Sequence, residues 1–243
     1  MERHLARLNW KEFAELKESV KGVILPIGTI EAHGCTHLGT DITIPEYLAE
    51  RLAGRLNALI APGVNYGITR TLLPYPGSLT VSEESFKEYV YDISESLILA
   101  GFDWVVFLNG HGGHNKELPE IALELWNQTG GKSIIVHWWQ LCARVTKDVL
   151  GEAGGHAGLD ETYMVMAAEP ELVKKELFSE DDVHLVRDGA YSYPNGGTLL
   201  LYEKGEGLPR FDPNEAKRYA DAVVEEVANY VEGVLTGWKH GGV

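Results

Sequence analysis

The chain has 243 residues, 44% of them hydrophobic and 23% charged, with 36 acidic side chains against 21 basic ones for a net charge of −15. That length and composition fit one large globular domain, spanning residues 1–243, with a substantial core. The acidic excess repels phosphate backbones and anionic lipid, so nucleic acid and membrane surfaces are excluded as favoured partners.

No apolar run approaches the ~20 residues of a membrane-spanning helix. The opening stretch MERHLARLNWKEF is charged and lacks an apolar h-region, so the expected location is the cytoplasm. Cys35 and Cys142 form no C-x-x-C pair, which points to a reducing compartment rather than a disulfide framework.

In chain order, residues 22–27, 58–64, 104–108 and 133–138 are short runs rich in Val and Ile, the pattern of strands covered on both faces. Helical spacing of apolar residues is expected over 45–56, over 83–100 with Ser82 as cap, and over 116–128 after Asn115. A final helix starts at the cap Asp212, with Pro213 in its first position and Glu215 three residues after the cap, and runs to about Leu235. The glycine-rich stretch 191–198 and the loop 205–209 read as surface loops. Alternating strands and helices predict a mostly parallel sheet with helices on both faces. Ligands of such sheets gather at the carboxyl ends of the strands.

Five of the nine histidines, His33, His37, His111, His114 and His156, fall in short glycine-containing segments. Glu31 and His33 are two residues apart, so an extended backbone would point both to one side, with Asp41 returning nearby. Carboxylate and imidazole suit Zn²⁺ or Mn²⁺; a capped turn with solvated charges is the bland alternative. Asn109-Gly110-His111-Gly112-Gly113-His114-Asn115 joins a strand to a helix. It matches neither dinucleotide nor P-loop glycine spacing and has no P-loop lysine, so metal ligation suits it better than a phosphate cradle. His114 taken alone reads equally as a polar loop residue or as a site residue. Gly154-Gly155-His156-Ala157-Gly158 leads into a helix with Glu161 in its first turn. A carboxylate there is also an ordinary helix-start residue.

Taken together the three segments resemble the creatininase family. Glu31, His33, Gly34, Thr40 and Asp41 match its first motif, Asn109 to Gly113 its second, and His156-Ala157-Gly158 with Glu161-Thr162 its third; Pro76 to Thr80 is similar to an intervening proline–glycine segment. The resemblance implies a three-layer α/β/α fold, a homo-oligomer, often a hexamer, and two divalent ions per chain, Zn²⁺ or Mn²⁺ with Fe²⁺ possible. Glu31, His33, Asp41 and His111 would be ligands, with Asp41 bridging, and His156 would pass a proton to the leaving nitrogen. In creatininase proper a tyrosine and a glutamate follow the second-motif histidine. Gly112 and Gly113 stand there in this chain, so Glu161 is expected to complete the metal set and to act as base.

A lid tryptophan of that enzyme is also missing near Glu152, leaving Trp138 or Trp139, with His114, as candidate pocket residues. The expected activity is hydrolysis of a C–N bond in a small cyclic amide by a metal-activated water, with creatinine a poor substrate. The alternatives are the same site acting on a formamide, a modified peptide or an inositol-derived ketone, or a metal-binding protein without catalysis.

Overall fold

The computed structural model describes residues 1–242. Four parallel strands, β1 (Gly22–Ile27), β2 (Ala58–Ile60), β3 (Trp104–Asn109) and β4 (Lys132–His137), form one sheet in the order β2-β1-β3-β4. Every residue of β1 and β3 is buried, because side chains of period two supply both faces of a covered sheet. Ile24, Val106 and Leu108 point into one core with α2 (Thr40–Ala53), α7 (Leu159–Ala168) and α8 (Pro213–Gly241). Val23, Leu25, Val105 and Phe107 point into the opposite core with α3 (Glu83–Leu99) and α4 (Glu117–Thr129). The result is the expected three-layer α/β/α arrangement. A short α1 (Trp10–Leu16) precedes the sheet, and two small helices, α5 (Trp138–Leu141) and α6 (Ala143–Leu150), follow β4.

Several boundaries differ from the sequence expectation. The ladder of β2 stops at Ile60 instead of running to 64, two residues before Pro62, which has no N–H to donate; the chain rejoins β1 only at an isolated Ile27–Val64 bridge. Residue 138 begins α5 rather than ending β4. Helix α2 starts at Thr40, not at 45, and carries Pro45 inside it. The missing N–H of Pro45 would have bonded the carbonyl of Asp41. Backbone closes on that carbonyl instead: a Cβ added at Gly28 or Gly110 would fall 2.3 or 2.1 Å from Asp41 O. Two strand ends thereby clasp the first turn of α2.

Helix α4 follows a one-turn 3-10 segment, Gly112–His114, and its N-cap is Lys116 rather than Asn115. The final helix keeps its expected cap, with Asp212 Oδ1 accepting from Asn214 N–H at 2.8 Å and Glu215 N–H at 3.3 Å. It continues beyond Leu235 to Gly241, where Trp238 packs on the core. A second sheet of two parallel strands, β5 (Val183–Leu185) and β6 (Leu199–Leu201), was not foreseen. The loop between them is anchored through Asn195, whose Nδ2–H donates to Thr71 Oγ1 at 2.8 Å. Among the described residues no helix is long and apolar enough to cross a membrane.

Candidate metal centre

The carboxyl ends of β1 and β3 deliver the first and second motifs to one place. The irregular segment after β1 carries Glu31 and His33, the first turn of α2 carries Asp41, and His111 follows β3. The loop between α6 and α7 brings His156, and the first turn of α7 brings Glu161. Glu31, His33, Asp41, His111 and Glu161 are all buried. Burying three carboxylates is costly unless cationic partners face them.

Asp41 is the hub of the cluster. Its Oδ1 lies 2.9 Å from His33 Nε2 and its Oδ2 lies 2.8 Å from His111 Nδ1. Glu31 Oε2 is 3.5 Å from His111 Nδ1, and Glu161 Oε2 is 3.7 Å from His33 Nε2. Three groups could each hold an ion, Glu31–Asp41–His111, His33–Asp41–Glu161 and Glu31–His33–His156, and the donor atoms within each lie inside 4.8 Å of one another. Asp41 belongs to the first two, the pair that shares a carboxylate.

The hydrogen bonds test whether cations fit. A carbonyl can only accept, so His33 donates Nδ1–H to Glu31 O at 2.8 Å and His111 donates Nε2–H to Ile68 O at 2.9 Å. In a neutral ring the other nitrogen is then a bare lone pair aimed at a carboxylate. Such an arrangement is stable only with a second proton or a cation between them, and an outer N–H on a carbonyl is the usual support of a metal-bound imidazole. Asp41 Oδ2 makes no well-formed hydrogen bond despite being buried. Oxygen and imidazole donors without thiolate suit Zn²⁺, Mn²⁺ or Fe²⁺. The residues fit divalent cations.

Without cations, protons take their place. Burial opposes charge on His33, but Asp41, Glu161 and Glu31 outweigh it and push the imidazole up to about 10. His111 rises to about 9 against the same burial, through Glu31 and Asp41. Asp41 is driven far below the usual carboxylate range, the two imidazoles overcoming its desolvation. Burial pushes Glu161 up to about 8, and its Oε2 accepts from Ala157 N–H at 2.6 Å. His156 moves the other way, down to about 3, through burial and the charge on His33. Its Nε2–H donates to Ala32 O at 3.0 Å, leaving Nδ1 3.8 Å from Glu31 Oε2.

Glu31, Asp41, His111, Glu161 and His156 line a cavity of about 830 Å³ together with Trp139. The other two candidate pocket residues lie elsewhere. Trp138 is fully buried in the core beside α8. His114 is fully buried too, stacked on Phe86 with ring centroids 4.2 Å apart.

Two residues that sequence reasoning passed over also line the cavity. Asp160 is pushed up to about 6 by burial, and its Oδ1 accepts from Gly155 N–H at 3.0 Å, tying down the loop that carries His156. Its only sequence signal was adjacency to Glu161. Arg70 bridges Glu83 and Glu117 at 2.6 and 2.8 Å and donates to Gly113 O at 2.8 Å; no motif marks it.

A family model described as creatininase, creatinine amidohydrolase, matches residues 6–231. The chain belongs to the creatininase family. Family members are hydrolases, and three relatives show the spread of their substrates. A creatinine amidohydrolase of Pseudomonas putida is 26% identical over 191 residues, covering 70% of this chain and 73% of the relative. A mycofactocin precursor peptide peptidase of Mycobacterium ulcerans is 26% identical, covering 81% and 78%. A 3-dehydro-scyllo-inosose hydrolase of Thermotoga maritima is 28% identical, covering 94% and 81%. A crystal structure of creatinine amidohydrolase shares the fold with a TM-score of 0.80 at 20% identity, over 95% of this chain and 96% of that one. Other solved creatininases are described as manganese and Zn–Zn forms.

Proposed function

We propose that the chain is a metal-dependent hydrolase that cleaves a carbon–nitrogen bond of a small cyclic amide. The observation that carries this reading is the sharing of Asp41 between two ligand triads beside an accessible cavity. Glu31, Asp41 and His111 would hold one ion, and His33, Asp41 and Glu161 the other. When bound, two divalent cations polarise a substrate carbonyl and lower the pKa of water from 15.7 toward ~7. Three carboxylates leave one net positive charge on such a pair, which favours an oxygen that becomes negative during attack.

The chain's own groups handle the protons. Glu161 would accept the proton lost on attack, with Ala157 N–H holding its Oε2. His156 is anchored through Nε2, so Nδ1 is the atom that passes a proton to the departing nitrogen. Its pKa is lowered, so Nδ1 starts without a proton and would relay to the departing nitrogen the one that Glu161 has accepted.

Gly112 occupies the cavity wall beside Trp139. With Gly112 and Gly113 where creatininase proper has a tyrosine and a glutamate, creatinine itself is a poor substrate in this reading. A cavity of about 830 Å³ also accommodates larger molecules, and the peptidase and inosose hydrolase among the relatives define the second reading, the same centre acting on a modified peptide or a cyclic ketone. A panel of lactams, formamides, short peptides and cyclic polyol ketones, assayed before and after chelation, separates them. Chelator-sensitive turnover of a lactam supports the first reading; turnover confined to peptides or ketones replaces it with the second.

A further inference from the structure

Directly after the second motif stands a histidine that this chemistry does not use. His114 is fully buried, and its ring stacks on Phe86 with an interplanar angle of 18°. A Cβ added at Gly67 would fall 2.1 Å from His114 Nε2, so glycine at 67 leaves the space the ring fills.

Both ring nitrogens have defined roles. A backbone N–H can only donate, so His114 Nε2 accepts from Ile68 N–H at 3.1 Å. The ring proton is therefore on Nδ1, which donates to Asn109 Oδ1 at 3.1 Å. The orientation of Asn109 is fixed by the backbone of His111. Its Oδ1 accepts from His111 N–H at 3.1 Å and its Nδ2–H donates to His111 O at 2.8 Å. Ile68 is thus held twice, its N–H on His114 and its carbonyl on His111 Nε2–H at 2.9 Å.

We infer that His114 is a positioning residue for the cation centre. By holding Ile68 in place, it keeps the Ile68 carbonyl on His111 Nε2–H and so presents His111 Nδ1 to the ion shared with Glu31 and Asp41. The inference rests on reading Glu31, Asp41 and His111 as ligands. It assigns His114 a role toward one triad only, because no corresponding link runs to His33, whose outer nitrogen bonds Glu31 O. Outer hydrogen bonds of this kind typically set metal affinity within a factor of ~10–100.

The test titrates metal-free parent, His114→Leu, His114→Asn and His114→Gln with zinc against a chromophoric chelator, and records thermal unfolding of each metal-free protein. Gln places an acceptor where Nε2 stood and can keep the Ile68 bond; Asn reaches only toward Asn109. The parent is expected to bind zinc in two steps. His114→Leu and His114→Asn should weaken one step by ~10–100-fold and leave the other unchanged, while His114→Gln restores most of the loss. Parent-like binding by both Leu and Asn variants overturns the inference. So does an equal loss at both steps that Gln does not rescue, because that is the signature of packing alone. If His114→Leu does not fold, the comparison of Asn with Gln decides. A parent that binds no zinc fails earlier, at the ligand assignment.

Discussion

Filling the metal centre should expel close to three protons per chain at pH 7. In the metal-free protein His33 titrates at about 10, His111 at about 9 and Glu161 at about 8. All three lie above neutrality, so each is mostly protonated at pH 7, and a ligand must lose its proton to bind an ion. The product of the two binding constants should therefore rise about a thousandfold per pH unit near neutrality. At ~1.36 kcal/mol per proton and pH unit this amounts to ~4 kcal/mol. Calorimetric titration with zinc in two weakly coordinating buffers of different ionisation enthalpy reads the number of protons directly. Release of fewer than one proton would show that His33 and His111 are not the groups displaced, and the reasoning from their hydrogen bonds would fail.

The same protons make the metal-free protein sensitive to alkali. Both imidazoles titrate above the ordinary 6.5, so the stability they contribute is complete below that pH and lost as pH rises through about 9 and 10. Thermal unfolding of metal-free protein should accordingly show Tm falling between pH 6.5 and 10, whereas zinc-loaded protein should gain stability as pH rises toward neutrality. His156→Ala should keep both ions and fold, with a modest fall in Tm from the lost bond to Ala32 O, but lower kcat by ~10²–10⁴-fold; loss of metal from that variant would make it a ligand instead. Trp138→Ala, which empties a fully buried site, should cost ~3–5 kcal/mol in denaturant unfolding. Trp139→Ala, at the cavity wall and half-buried against the core, should shift KM and cost less stability than Trp138→Ala.

Much of the layer structure was legible because β1 and β3 are buried on both faces and read as unbroken apolar runs. The start of α8 was legible because Asp212 and Pro213 form a local cap that depends on nothing distant. Helix α2 was misplaced for the opposite reason. Pro45 looks like a first helical residue, and only tertiary closure by Gly28 and Gly110 on the Asp41 carbonyl explains a helix that begins a turn earlier. The small β5–β6 sheet has three-residue strands, too short for any period to show.

At the site, glycine-flanked histidines marked where chemistry gathers, but direction was not readable. Trp138 and Trp139 are neighbours in sequence, yet the turn from β4 into α5 buries the first fully in the core and leaves the second at the core's edge, where it also lines the cavity. His114 follows His111 by three residues, and the 3-10 turn between them sends its ring under Phe86. The link from His114 through Ile68 to His111 joins segments more than forty residues apart, and local sequence carries no trace of it.

The most direct test of the account is the metal content of the purified protein, measured by elemental analysis together with turnover of whichever panel substrate is hydrolysed fastest. About two divalent ions per chain are expected, with loss of turnover on chelation and return on adding zinc or manganese, and complete loss of both ions and turnover in Asp41→Ala, because Asp41 belongs to both of the triads that share it. Full hydrolysis by metal-free protein, or two ions retained by Asp41→Ala, would contradict it.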